Sequence, residues 1–223
     1  MNHERSTAMT GANIRTRLQK KGADLTAIAG TVVLQPALLS EVFKGLSSEN
    51  PRTKYGSMKV LRTISEKDPA ILASRLARFI GLLDSDNTFL RWGAIQIVAN
   101  LAAVDSRKRI EKIFDKYFAP IQGPVMITAG NIIGSAPKIA LAYPQLADRI
   151  AQEILRTERA TYQTPECRNI ALGHAITALD QFFDSLQEKR RVIAMVMRQL
   201  HNPRNATRKK AERFLRNHAV NFT

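Results

Sequence analysis

The chain contains little of what a disulfide scaffold, a metal site or a membrane span requires. Its 223 residues include one cysteine, Cys167, which excludes an internal disulfide and cannot form a thiolate metal site alone. No run reaches the ~18 consecutive apolar residues of a membrane span. The first residues also lack the apolar core of a signal peptide. We therefore expect a soluble, cytoplasmic protein.

Sequence motifs of catalysis are missing as well. The chain shows no glycine loop that would cradle a phosphate and no nucleophile-elbow pattern. His174 has no second histidine or carboxylate at ligand spacing, so we interpret it as a core or interface residue. Cys167 lies near a predicted helix start but has no base that the sequence identifies. The sequence therefore predicts no catalytic residues, no cofactor and no metal.

Acidic residues are scarce at the two ends of the chain. The whole sequence has 34 Lys and Arg against 19 Asp and Glu, a net charge of +15. Residues 1–67 carry 11 basic and 5 acidic residues, residues 68–185 carry 13 and 12, and residues 186–223 carry 10 and 2. Basic ends favour a partner with a spread anionic surface, nucleic acid above all. The alternative is that the charge only keeps the protein soluble.

The chain does have an internal repeat, marked by small residues inside helical patterns. These are spaced 37, 37, 43 and 38 residues apart, and they are Gly56, Gly93, Gly130, Gly173 and Ala211. Such a period is typical of stacked helix pairs, in which no pair can bury its apolar face alone. We expect the glycines to let neighbouring helices approach closely.

Helix-start signals divide the repeat into about five two-helix units. The first helices begin near Pro36, Pro69, Ser106, Pro144 and Ser185. The predicted units are approximately 32–67, 68–104, 105–142, 143–184 and 185–218. We predict that Pro137 breaks the second helix of the third unit, that Asn205 caps the last helix, and that residues 11–31 form a capping helix. Residues 1–10 are expected to be a disordered tail ahead of a single domain, 11–223.

The second unit resembles the HEAT family of helical repeats in the armadillo/HEAT superfamily. The matching positions are Asp86, Leu90, Arg91, Ala94 and Leu101. The resemblance implies an all-α, right-handed α-solenoid of about five HEAT-like repeats, whose second helices line a concave surface. It also implies that the protein is a binding scaffold. For Arg91 it leaves two roles open, a structural ion pair with Asp86 or contact with a binding partner.

Two sets of residues are candidates for binding. The candidate concave-face residues are Lys54, Tyr55, Arg91, Trp92 and His174. The candidate polyanion-binding residues are Arg204, Arg208, Lys209, Lys210, Arg213 and Arg216 near the C-terminus, with Arg15, Arg17, Lys20 and Lys21 near the N-terminus. In the last helix we expect Phe214 and Leu215 to dock inward while the cations spread over the other side. For Trp92, packing in the core or at its rim is the alternative to stacking on a partner.

Three functions follow from these features. The first is a non-enzymatic scaffold that binds another protein through the concave face. The second is sequence-independent binding of nucleic acid by the basic ends. The third rests on a branch of HEAT-like proteins, the alkylpurine DNA glycosylases, which use a Trp-Trp-Asp cluster. Here Trp92 is the only tryptophan and Gly93 follows it, so the glycosylase hypothesis ranks last. Oligomeric state and the partner's identity are not readable from the sequence.

Overall fold

The computed structural model describes residues 11–219 of the chain. The predicted tail, residues 1–10, lies outside the described residues. By packing, the chain divides into two compact units, Met1–Ile97 and Val98–Thr223. The single domain over 11–223 stays a prediction. Over the described residues the regular secondary structure is helical, with no β-strand.

From residue 11 onward the first unit shows six α-helices, the last of which runs three residues past Ile97. They are α1 Gly11–Gln19, α2 Leu25–Leu34, α3 Leu39–Gly45, α4 Pro51–Lys67, α5 Leu76–Leu82 and α6 Thr88–Asn100. Pro36 and Pro69 open 3₁₀ turns that lead into α3 and α5, because proline suits a first helical position that needs no N–H donor. These two predicted starts are confirmed.

Two helices stand at the N-terminal end where one capping helix over 11–31 was predicted. Gly22, with φ of +75°, makes the turn between α1 and α2, a conformation that favours glycine. Asp24 then begins α2, since its Oδ1 accepts a hydrogen bond of 2.9 Å from Ala27 N. Both helices pack on α4, whose Val60, Leu61 and Ile64 are fully buried.

As far as residue 219 the second unit shows seven further α-helices. They are α7 Arg109–Lys112, α8 Phe114–Phe118, α9 Met126–Ala142, α10 Ala147–Leu155, α11 Pro165–Asp180, α12 Lys189–Arg198 and α13 Asn205–Asn217. The predicted start at Ser106 is wrong by three residues. Lys108 adopts a left-handed conformation with φ of +50°, and the carboxylate of Asp105 accepts from Ile110 N at 2.8 Å, so the helix begins at Arg109.

Pro137 does not break α9, contrary to the prediction. The helix continues for 17 residues with Pro137 inside it. A proline in a helix interior costs about 3 kcal/mol, but Ile132, Ile133 and Ile139 on the same helix are fully buried. Burial of large aliphatic side chains contributes about 1.5–3 kcal/mol each, which outweighs the cost of the proline.

Three of the four repeated glycines lie at close contacts between elements. A Cβ on Gly93 would lie 2.4 Å from Met58 Cγ, one on Gly56 3.2 Å from Leu18 Cδ2, and one on Gly173 2.9 Å from Thr207 Oγ1. The prediction of close helix approach holds at these positions. It is wrong at Gly130, where a Cβ would meet no atom within 4 Å.

Candidate functional site

Three aromatic side chains form a row on the second helices of the first unit. The ring centroids of Tyr55 and Phe89 are 5.2 Å apart, and those of Phe89 and Trp92 are 5.4 Å apart. Phe89 is 59% exposed and Tyr55 38% exposed. The amide of Asn87 donates a hydrogen bond of 3.2 Å to the Tyr55 hydroxyl. We call Tyr55, Phe89 and Trp92 the aromatic row.

The repeat itself aligns two members of the row. Tyr55 precedes Gly56 and Trp92 precedes Gly93, 37 positions later, so both occupy the same position of successive second helices. Phe89 lies one turn before Trp92 on α6, and its ring contacts the rings of both Tyr55 and Trp92. The interplanar angles are 45° and 65°, so the rings do not cover one another face to face.

Beside the aromatic row, the α1–α2 turn and α4 line an open cavity of about 320 Å³. Four of its ten lining residues are cations and none is acidic. The lining residues are Leu18, Lys20, Lys21, Gly22, Ala23, Leu25, Arg52, Tyr55, Gly56 and Lys59. Tyr55 therefore belongs both to this cavity and to the aromatic row. We call the cavity the basic pocket.

Local structure places the four cations around the basic pocket. Lys20 and Lys21 lie in the α1–α2 turn, where Ala23 N donates to Lys20 O at 3.3 Å. Arg52 and Lys59 are two helical turns apart on α4, on the same face as Tyr55. Asp24, the acid next to this turn, already accepts a hydrogen bond from Ala27 N. Within the described residues, none of the four cations forms an ion pair.

The other N-terminal candidates do not join this cluster. Arg15 pairs with Glu41, its Nε lying 3.2 Å from Oε2. Arg17 is not among the residues that line the basic pocket. Of the four N-terminal candidates, the structure brings Lys20 and Lys21 together with the aromatic row and not the two arginines.

Arg91 has a structural role, but its partner is not Asp86. Its Nε and Nη2 both donate to the carbonyl oxygen of Ser85, at 2.9 and 2.7 Å. Arg208 repeats this contact in α13, donating to Asn202 O at 2.8 Å. In both repeats a backbone carbonyl oxygen shortly before the helix accepts hydrogen bonds from the arginine side chain.

The C-terminal helix follows the predicted pattern with one correction. Phe214 and Leu215 are fully buried, which confirms that they dock inward. Asn205 is the first residue of α13 rather than its cap, which is Arg204, and Asn202 Oδ1 accepts from Arg204 N at 2.9 Å.

Several C-terminal cations have protein partners. Arg204 forms an ion pair with Glu166. Lys210 Nζ donates to Gly173 O at 3.0 Å. Lys209, Arg213 and Arg216 are exposed on α13. The basic C-terminal set is thus divided into bound and solvent-facing members.

His174 is exposed on α11. Of its two predicted roles, core or interface residue, the core role is therefore wrong and the interface role stays a prediction. Partial desolvation by its neighbours, and then the positive charges of Lys210 and Arg204, lower the pKa of His174. Desolvation and the charges of Arg213 and Arg204 likewise lower the pKa of Lys210. These side chains therefore share one positively charged region, where α11 meets α13.

In the second unit, α9, α11 and α13 pack in sequence, with α11 between the other two. Each of these helices carries exposed side chains. The row on α9 begins with Ile127 and ends with Leu141, which are 51% and 59% exposed. His174 is exposed on α11, Gln181 is exposed directly after the end of α11, and Arg213 is exposed on α13. We call the exposed residues of these three helices the three-helix surface.

Sequence reasoning missed the apolar side chains of the three-helix surface. Ile127 and Leu141 are 14 residues apart and thus on one helical face, with Asn131, Gly134 and Lys138 between them. A polar face that ends in two large apolar residues was the available signal. Of the candidate concave-face residues, only His174 lies in the second unit.

Within residues 11–219 no cluster of three His, Cys, Asp or Glu side chains could hold a metal ion. No single helix of that range is long and apolar enough to cross a membrane. One pair, Leu25–Leu34 with Pro36–Gly45, passes by length and composition only, and it is bent by 119°.

No family model and no curated protein matches the chain. The chain is similar to several solved structures, two of which are the following. A designed armadillo repeat protein aligns with a TM-score of 0.63 and 14% identity, over 95% of this chain and 100% of that one. An engineered protein solved by the Northeast Structural Genomics Consortium aligns with a TM-score of 0.50 and 14% identity, over 93% of this chain and 87% of that one. The chain has an all-α, armadillo/HEAT-like repeat fold, as the sequence predicted.

Proposed function

We propose that this armadillo/HEAT-like repeat protein is a non-enzymatic scaffold that binds another protein through the three-helix surface. The fold is consistent with a protein-binding scaffold. The observation that carries the proposal is the exposure of Ile127 and Leu141 on a helix whose opposite side is fully buried. These two large apolar side chains lie about 21 Å apart at the two ends of the exposed row, so each suits a separate apolar contact within an interface.

The charge of the same surface favours an acidic partner. His174 is exposed on α11 and Arg213 on α13. Lys210 lies close to both, and desolvation together with the charges of Arg213 and of Arg204, the cap of α13, lowers the pKa of Lys210. Acidic side chains of a partner would relieve this repulsion and set the orientation of the complex. The proposed interface therefore has an apolar part on α9 and a cationic part on α13.

A quantitative pull-down with the full chain tests this proposal. The binding variant is Ile127→Ser with Leu141→Ser. The control is Leu34→Ser, which alters a side chain that is 83% exposed in the first unit. We expect a partner that binds the wild type and the control, and that the double variant loses.

Equal recovery by the double variant would exclude the three-helix surface. Release of a base from alkylated DNA by the purified protein would exclude a non-enzymatic function and support the glycosylase hypothesis.

A further inference from the structure

We propose that the first unit carries a binding site for single-stranded nucleic acid, formed by the basic pocket and the aromatic row. This function is separate from protein binding at the three-helix surface. The site combines cations, which attract phosphate, with exposed aromatic rings, which stack on bases. Single-strand binding proteins use this combination without reading sequence.

The basic pocket is suited to the phosphate backbone. Lys20, Lys21, Arg52 and Lys59 line one cavity in which no acidic residue takes part. A cavity of about 320 Å³ is open to solvent beside Tyr55, so a chain can enter and leave it. Anion binding would relieve the repulsion among four neighbouring cations and release the counterions of the strand.

The aromatic row is suited to unstacked bases. Tyr55 lines the basic pocket, so a base attached to a phosphate held there lies within reach of the row. Phe89, 59% exposed, continues the row at 5.2 Å from Tyr55 and 5.4 Å from Trp92. The hydrogen bond from Asn87 holds the Tyr55 ring in place, which reduces the entropy lost on stacking.

A single strand fits these features better than a duplex or an acidic peptide. In a duplex the base faces are covered by their neighbours, so exposed rings gain little from it. Carboxylates of a peptide would satisfy the cations but would leave the aromatic row without flat partners. Only a single strand supplies regular phosphates and accessible base faces together.

The test is the binding of a fluorescein-labelled (dT)20 oligonucleotide to the full chain, followed by anisotropy and by tryptophan emission. Trp92 is the only tryptophan, so its quenching reports stacking at the aromatic row. If four cations each contact a phosphate, log K should fall with log salt with a slope of about −3.

Three variants separate the parts of the site. Lys21→Glu with Lys59→Glu should reduce the slope by about half and weaken binding at low salt. Phe89→Ala should weaken binding by about tenfold with the slope unchanged. Lys209→Glu with Arg216→Glu makes the same charge change on α13 and should leave Trp92 quenching intact. Thermal unfolding of each variant verifies that it is folded.

Four results would overturn the proposal. The first is no binding of the oligonucleotide at low salt, and the second is tighter binding of a duplex of equal length. The third is loss of binding only in the α13 variant. The fourth is displacement of the oligonucleotide by polyglutamate without recovery of Trp92 emission. The last result would assign the surface to an acidic protein. Binding of a protein partner at the three-helix surface is measured separately, so each proposal can fail alone.

Discussion

The hydroxyl of Tyr143 donates a hydrogen bond of 2.9 Å to Oδ2 of Asp105, whose carboxylate is buried. The same carboxylate accepts from Ile110 N at 2.8 Å and pairs with Arg109 Nε at 3.1 Å. These bonds join the start of α7 to the end of α9. Burial alone would raise the pKa of Asp105, but the hydrogen bonds from Ile110, Arg109 and Tyr143, with the charge of Arg109, lower it.

Asp105→Asn should destabilise the protein by about 1–3 kcal/mol at pH 7. Because the pKa of Asp105 is lower in the folded state, its carboxylate contributes stability above the unfolded pKa of about 4. That stability is lost as the pH falls through the folded pKa. Urea unfolding at pH 7 and pH 3 should show a smaller effect of the variant at pH 3. Asp115→Asn, at an exposed ion pair, is the control, and an equal effect there would contradict the prediction.

Gly93→Ala and Gly130→Ala should change stability in opposite directions. Alanine favours a helix interior by about 1 kcal/mol over glycine. At Gly130 a methyl meets no atom within 4 Å, so the variant should be more stable. At Gly93 the methyl would overlap Met58, and the forced shift should cost about 1–3 kcal/mol. Thermal unfolding measures both, and stabilisation by Gly93→Ala would show that Met58 moves aside freely.

Arg91→Met should cost about 1–2 kcal/mol, because one carbonyl loses two donors. Asp86→Asn should stay within about 0.5 kcal/mol of the wild type, since the partner of Arg91 is Ser85 O. The free energy of unfolding in urea distinguishes the two variants. A larger loss of unfolding free energy for Asp86→Asn than for Arg91→Met would support the predicted ion pair between Arg91 and Asp86.

His218→Ala should loosen the end of α13. The His218 ring lies 4.3 Å from Phe183 and 4.6 Å from Phe214, centroid to centroid, and its Nε2 is 2.8 Å from Asp180 Oδ1. Loss of these contacts should cost about 1–3 kcal/mol and raise amide exchange in the last turns of α13. Arg216→Ala, an exposed neighbour, should change exchange little, and similar exchange in both variants would contradict this role.

The sequence predicted the structure correctly where a single residue spacing determined both the helix pattern and the packing between helices. The 37-residue interval between Gly56 and Gly93 predicted stacked helices, and it also aligned Tyr55 with Trp92. Phe89 could not be placed in the aromatic row from the interval, because it lies off that position and joins the row only through packing. Gly22 and Asp24 did carry the signal for a second N-terminal helix, a turn residue followed by a cap.

Other predictions failed where packing outweighed local preference. Pro137 stays inside α9 because its neighbours are buried. The helix after Ser106 starts late because Asp105, joined to Tyr143 from the following repeat, supplies the oxygen that binds Ile110 N. Local sequence patterns do not identify a hydrogen-bond partner 38 positions away. For the same reason Ser85 could not be recognised as the acceptor for Arg91.

Polar links between helices span a nearly constant interval in the sequence. Within the second unit Lys210 reaches Gly173 over 37 residues, Thr207 reaches Asn169 over 38 and Arg198 reaches Glu158 over 40. Each link joins a repeat to its immediate neighbour and bridges nothing more distant. A duplicated repeat could therefore be inserted without lengthening any of these hydrogen-bonded links. This architecture can thus grow by gene duplication while the contact between each pair of neighbouring repeats keeps its geometry.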